Sequence, residues 1–187
     1  MPYKPNDHYA KKARKQNFAA RSVFKLQEID QKWQLFRHDQ SVLELGCSPG
    51  SWAQYISSHI GNRGRLLGID LKPPEVNPPN AILVEADIYE TNFEALAKEH
   101  DVRVPFDVIA SDMMTNTTGH RSTDQAKSAG LCEMALEIAK QHLAPGGHFG
   151  VKMFEGPDTQ PFRQELMRLF GKAGRVKPKS TRKNSKE

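Results

Sequence analysis

Five short apolar runs punctuate this chain, each of the length expected for a buried strand. They are VLEL at 42–45, RLLGIDL ending at Asp70, AILVEAD ending at Asp87, FDVIASDM ending at Asp112, and HFGVKMF, which carries Lys152. Helical spacing fills the intervals. Phe18, Val23, Leu26, Ile29 and Trp33 recur at three- to five-residue steps and predict an amphipathic helix over 18–33. A second helix opens around Ser51 and closes at Gly61 and Gly64, and a third covers 91–100. Thr123 or Asp124 caps the next, whose core face is Leu131, Met134, Ala135, Ile138 and His142, and APGG at 144–147 stops it. A last helix over 161–170 turns Phe162, Leu166, Leu169 and Phe170 inward. Residues 1–17 are polar and form an arm or loose helix; 73–80, PPEVNPPN, form a proline-rich loop. Alternating strands and helices predict one α/β domain over 1–187, a doubly wound, mainly parallel sheet with helices on both faces.

Composition changes this picture little, and charge changes it more. At 37% apolar and 26% charged residues the 187-residue chain reads as a soluble domain. No run approaches the ~18 apolar residues of a membrane span, and no export signal opens the chain. A cytoplasmic monomer without membrane contact is expected. Cys47 and Cys132 lie 85 positions apart, which favours free thiols, and no metal-ligand spacing appears. Residues 1–40 carry nine Lys/Arg against four Asp/Glu, and 172–187 carry seven against one. The body between is acidic, with eleven against seventeen. Basic ends on an acidic body suit a polyanionic partner, although solvated tails give the same pattern.

The candidate chemistry gathers at the strand ends. After VLEL the chain breaks at Gly46, and Gly50 precedes the next helix, so the backbone can come close to a ligand beyond the carboxyl end of the sheet. The third glycine of a dinucleotide fingerprint is missing, and Pro49 and Trp52 crowd the place of a pyrophosphate. Asp70, 24 residues past Gly46, is placed to accept ribose hydroxyls, and Asp87 to meet an adenine edge. These features favour an adenosyl cofactor without phosphates, S-adenosyl-L-methionine.

The run LELGCSPGSWAQY, the strand end SDM, the strand VKMF and the helix ARSVFKL together resemble the FtsJ/RrmJ family of RNA 2′-O-methyltransferases, over nearly the whole chain and in matching order. The resemblance implies a Rossmann-like methyltransferase fold and a Lys-Asp-Lys-Glu tetrad, falling on Lys25, Asp112, Lys152 and Glu187. It also implies cofactor contacts at Gly50, Trp52, Asp70, Asp87 and Asp112, beside the turn glycine Gly46. Family members continue past the last Glu into a terminal strand, whereas this sequence stops at Glu187: either the chain is truncated or that strand is missing. The loop after Asp112 reads Met113-Met114-Thr115-Asn116 where bacterial members commonly have Ala-Pro-Asn. No Asn-Pro-Pro-Tyr signature of base amine methylation is present, which favours ribose. The expected target is a uridine ribose of large-subunit ribosomal RNA; transfer RNA, or a catalytically weak RNA-binding assembly factor, are the alternatives.

Lys152 is expected to take the hydroxyl proton or steer its developing charge, with Lys25 positioning the ribose. Partial burial and the charge of Lys25 favour the neutral amine, whereas Asp112 favours the ammonium. Lys11, Lys12, Arg14, Lys15 and Arg21 near one end, with Lys177, Lys179, Arg182 and Lys183 near the other, are expected to grip RNA phosphates on either side of the cleft.

Overall fold

The computed structural model describes residues 7–182 and Ser185. Eleven elements follow in order: α1 (His8–Lys15), α2 (Val23–Trp33), β1 (Ser41–Leu45), α3 (Ser51–Ile60), β2 (Arg65–Asp70), β3 (Ala81–Glu85), α4 (Phe93–Glu99), β4 (Phe106–Ser111), α5 (Arg121–His142), β5 (Leu143–Val151) and α6 (Thr159–Phe170). The five strands form one sheet in the order β3-β2-β1-β4-β5, and every pairing is parallel. Parallel strands need crossover connections; α3, α4 and α5 supply three and cover both faces, while residues 71–80 join β2 to β3 without a helix.

Strand periodicity divides the core. Val42, Leu66, Val108 and Ala110 pack against Val23, Phe24 and Leu26 of α2 and Trp52, Ala53, Ile56 and Ile60 of α3. Leu43, Leu45, Leu67, Ile69 and Ile109 face the opposite layer, with Phe93 and Ala97 of α4 and Ala135, Ile138 and Ala139 of α5. Phe162 of α6 joins Cys132 and Leu136 on the outer side of α5. This is the doubly wound, Rossmann-like arrangement that the alternating pattern predicts. No helix among the described residues is long and apolar enough to cross a membrane.

Several boundaries move, each for a local reason. The helix expected from 18 begins at Val23, because Gln54 satisfies the preceding backbone in a non-helical path. Its Nε2 donates to Asn17 O at 2.9 Å and its Oε1 accepts from Ala19 N at 2.9 Å. Helix α5 starts at Arg121, with His120 at the N-cap and no side-chain cap bond. Neither Thr123 nor Asp124 caps it; the buried Asp124 carboxylate instead accepts from Thr118 N at 2.7 Å and Thr118 Oγ1 at 2.8 Å. Strand β5 pairs with Phe106 at Leu143 and with Val108 only at His148, so APGG loops out of a strand that has already begun. In α6, Phe162 is buried, but Leu169 and Phe170 are 39% and 37% exposed. Phe170 stacks on Phe149 of the edge strand with centroids 5.9 Å apart and is not enclosed by the core.

Candidate active site

Register aligns the strand ends. Leu45 pairs with Ile69 and with Ser111, and Ser111 pairs with Val151. The next residues along those strands are Gly46, Asp70, Asp112 and Lys152, which therefore form one row across the carboxyl edge. Backbone bonds carry the ladder past the strands: Gly46 N to Ile69 O at 2.8 Å, Asp112 N to Leu45 O at 3.0 Å, and Lys152 N to Ser111 O at 2.9 Å. The row is thus placed by the sheet and not by loops.

At its centre Gly46 adopts φ +83°, and a Cβ there would lie 2.8 Å from both the N and Cα of Met113. The turn and the loop carrying Asp112 are in backbone contact that only glycine permits. Gly50, at φ +115°, opens α3 with Val76 of the proline-rich loop directly over it. Asp70 accepts from Ser48 N through one carboxylate oxygen and from Lys72 N through the other, both at 2.9 Å. Each oxygen keeps a second lone pair for a ligand hydroxyl. Asp87 lies two residues beyond β3 and accepts from Tyr89 N at 3.0 Å.

One acid escaped the sequence reading. Glu44 sits inside β1 with 1% exposure, and its Oε2 has no hydrogen-bond partner among the described residues. Burial, then the charges of Asp112 and Asp70, push its carboxyl well above the ordinary range. Its strand neighbours are Gly68 and Ala110, so this carboxyl lies just beneath the row between two aspartates. The signal was an acid in an otherwise apolar strand.

Lys152 and Asp112 meet directly. Lys152 Nζ lies 2.7 Å from Asp112 Oδ1 and donates to the Asp112 carbonyl at 2.7 Å. The two side chains are 12% and 17% exposed. The Oδ1 contact is an ion pair without hydrogen-bond geometry, so of an ammonium's three donors only the one on the carbonyl is committed. Lys25 is half-buried in the first turn of α2, which is docked on the first turn of α3: Trp52 Nε1 donates to Ser22 O at 3.0 Å, and the Ser22 and Ser51 hydroxyls lie 2.8 Å apart. Trp52 is itself buried in that contact.

The basic candidates fall at two places that meet. Lys11, Lys12, Arg14 and Lys15 are exposed on or at the end of α1; Lys177, Lys179 and Arg182 are exposed in the tail. Arg21 pairs with Asp7 and donates to Ser180 O. The described parts of the two ends adjoin each other beside α2 and do not flank a cleft from opposite sides. Glu187 and Lys183 lie outside the described residues.

The residues fit a cationic adenosyl cofactor. Asp70, Asp87 and Asp112 gather carboxyls at one edge, with the buried Glu44 carboxyl beneath the turn. Pro49 offers no N–H and the turn has no lysine, so a phosphate has little to hold it. A cavity of about 430 Å³ between α3 and the proline-rich loop, lined by Gln54, Ser57, Asn77 and Asn80, includes no residue of the row.

Comparisons with known proteins place the chain in a family. The chain is 52% identical over its full length to the ribosomal RNA large subunit methyltransferase E of Bdellovibrio bacteriovorus, covering 95% of that protein. It is 46% identical over 97% of its length to the protein of the same name from Desulfatibacillum aliphaticivorans, covering 86% of it. A crystal structure from Plasmodium falciparum, provisionally named a ribosomal RNA methyltransferase, superposes with a TM-score of 0.77 at 27% identity, over 87% of this chain and 93% of that one. Aeropyrum pernix fibrillarin, solved with S-adenosyl-L-methionine, shares the fold at a TM-score of 0.51 and 19% identity, over 71% of this chain and 57% of its own. The model of the FtsJ-like methyltransferases matches residues 18–187, and the chain belongs to that family.

Proposed function

We propose that this protein methylates the 2′-hydroxyl of a uridine ribose in large-subunit ribosomal RNA, using S-adenosyl-L-methionine and acting as a cytoplasmic monomer on the RNA within the large subunit. The observation that carries the reading is the Lys152–Asp112 pair beside an acid-lined glycine turn. The names borne by relatives at 52% and 46% identity support the ribosomal substrate.

When bound, the cofactor supplies an electrophilic methyl group on a sulfonium centre. Asp70 and Asp87 would hold its ribose and adenine beside the turn that Gly46 and Gly50 allow. The chain's own task is to make a weakly acidic hydroxyl react. Neutral Lys152 Nζ takes the proton from O2′ as that oxygen attacks, and the resulting ammonium is held by Asp112. In its charged form the same nitrogen stabilises negative charge growing on O2′. Both roles need Nζ where Asp112 fixes it. Lys25, from the face of α2, would position the ribose, with Glu187 as the fourth member of the tetrad.

The test is incubation with methyl-labelled cofactor and undermethylated ribosomal particles, followed by mapping of the modified nucleotide. Label on a large-subunit ribose 2′-oxygen is expected. Label on transfer RNA, on a base, or on nothing despite cofactor and RNA binding refutes it, the last outcome favouring an assembly factor.

A further inference from the structure

The tail after α6 runs back over α2. Gly174 lies against Trp33, where a Cβ would come within 2.0 Å of the indole, and Lys172 Nζ stands 5.2 Å from that ring's centroid. Further along, Glu28 accepts two consecutive tail amides, Lys179 N at 2.6 Å and Ser180 N at 2.9 Å. Burial pushes the Glu28 carboxyl up, but the bonds from Ser180 and Lys179 outweigh this and hold it below its ordinary value, so it is charged at neutral pH. The Ser180 carbonyl accepts from Arg21, which also pairs with Asp7; Arg182 Nε reaches the same Asp7 carboxylate at 3.3 Å. Asp7 is at the same time the N-cap of α1, accepting from Ala10 N at 2.9 Å. Ser180 is 1% exposed, so the tail is seated in the surface.

Two carboxylates thus join segments more than 150 positions apart. We propose that Asp7 and Glu28 are clamps that set the tail beside α1, making from two basic segments a single phosphate-binding surface for an RNA backbone. Arg21 is its internal tie. This rests on the reading of RNA as substrate and adds how the RNA is held. Lys12, Lys15, Lys177 and Lys179 are exposed around the seam, and Lys25 lies one helical turn before Glu28 on α2. The surface therefore leads toward a member of the proposed tetrad. By charge alone an acid in such a surface weakens RNA binding. Here each acid fixes where cations stand, so fewer degrees of freedom are lost when phosphates arrive.

The opposite signs make the test. Asp7→Asn keeps a capping oxygen but loses the charge that pairs Arg21 and Arg182. Glu28→Ala removes the acceptor of both tail amides and suits a helix. Each raises the net charge by one. Binding of a labelled large-subunit ribosomal RNA transcript to the full chain is followed by anisotropy between about 50 and 200 mM salt. In parallel, tryptic cleavage after Lys179 and Arg182 is timed without RNA. We expect faster cleavage, roughly tenfold weaker binding near 150 mM, and a log–log salt slope shallower by about one to two. Faster cleavage with unchanged or tighter binding overturns the inference and leaves RNA as substrate standing. Unchanged cleavage overturns the clamp. If the unaltered protein shows no salt-dependent RNA binding, the surface and the RNA reading fall together.

Discussion

Gly46 and Gly119 share almost the same positive φ, +83° and +84°, in different surroundings. Replacing either with alanine incurs the left-handed backbone penalty of about 1–2 kcal/mol. At Gly119 nothing lies within 4 Å of the new methyl, so the cost ends there. At Gly46 the methyl meets Met113 N and Cα at 2.8 Å; these are backbone atoms and cannot rotate away. Such overpacking adds about 1–3 kcal/mol. Against a total stability of roughly 5–15 kcal/mol, Gly46→Ala is therefore expected to fold with a clearly lower urea midpoint than Gly119→Ala, at equal m. The displaced Met113 adjoins Asp112, so Gly46→Ala should also lose cofactor binding by calorimetry, while Gly119→Ala keeps it. Equal midpoint shifts, or cofactor binding retained in Gly46→Ala, would refute the argument that backbone contact between turn and loop shapes the site.

Three further outcomes are expected. Lys152→Ala should lower methyl transfer at least ~100-fold with cofactor affinity retained, and Lys152→Arg should keep a measurable rate only if charge steering dominates; full activity in Lys152→Ala removes the proposed mechanism. Glu44 is held well above the ordinary carboxyl value by burial, then by Asp112 and Asp70, so above about pH 4.3 the unfolded chain releases a proton that the folded chain keeps. Its contribution is therefore most favourable below that pH and is lost as pH rises toward the raised value, by up to about 1.4 kcal/mol per unit. Glu44→Gln lacks this slope, so its stability relative to the parent should improve from about pH 5 to about pH 8 in urea melts, and a pH-independent difference contradicts it. Asp124→Ala strands Thr118 N and Oγ1, should cost about 1–3 kcal/mol, and should speed proteolysis in the 113–120 loop; an unchanged cleavage rate there would show that Asp124 does not anchor it.

Much of the architecture was legible because buried parallel strands are uninterrupted apolar runs, and each of the five runs proved to be a strand. The aspartates stood out for the same reason, being charges where those runs stop. What escaped depended on partners distant in sequence. Asp124 looked like a helix cap, but Thr118 supplied two donors from the loop before it. Residues 18–22 carried helical spacing, yet Gln54 of another helix satisfied their backbone. The basic ends read as independent grips; nothing local to Glu28 or Asp7 announces that they hold the tail. Glu44 was visible as an anomaly within an apolar strand, but its surroundings came from register with β2 and β4.

Gly46, Asp112 and Lys152 each stand one residue past a strand, still bonded to the strand beside them. Their spacing is counted out by the sheet, and this makes the site unequal in its tolerance of length change. One residue inserted within β4 would turn Asp112 toward the other face and part it from Lys152, because side chains alternate at period two. The same insertion among residues 113–120, or in the proline-rich loop, leaves the count untouched. Variants of this fold can therefore lengthen, shorten or rewrite the rim that meets the substrate while the reacting groups keep their positions. A change of target within such a lineage is a matter of loops, and a change of strand length ends the chemistry.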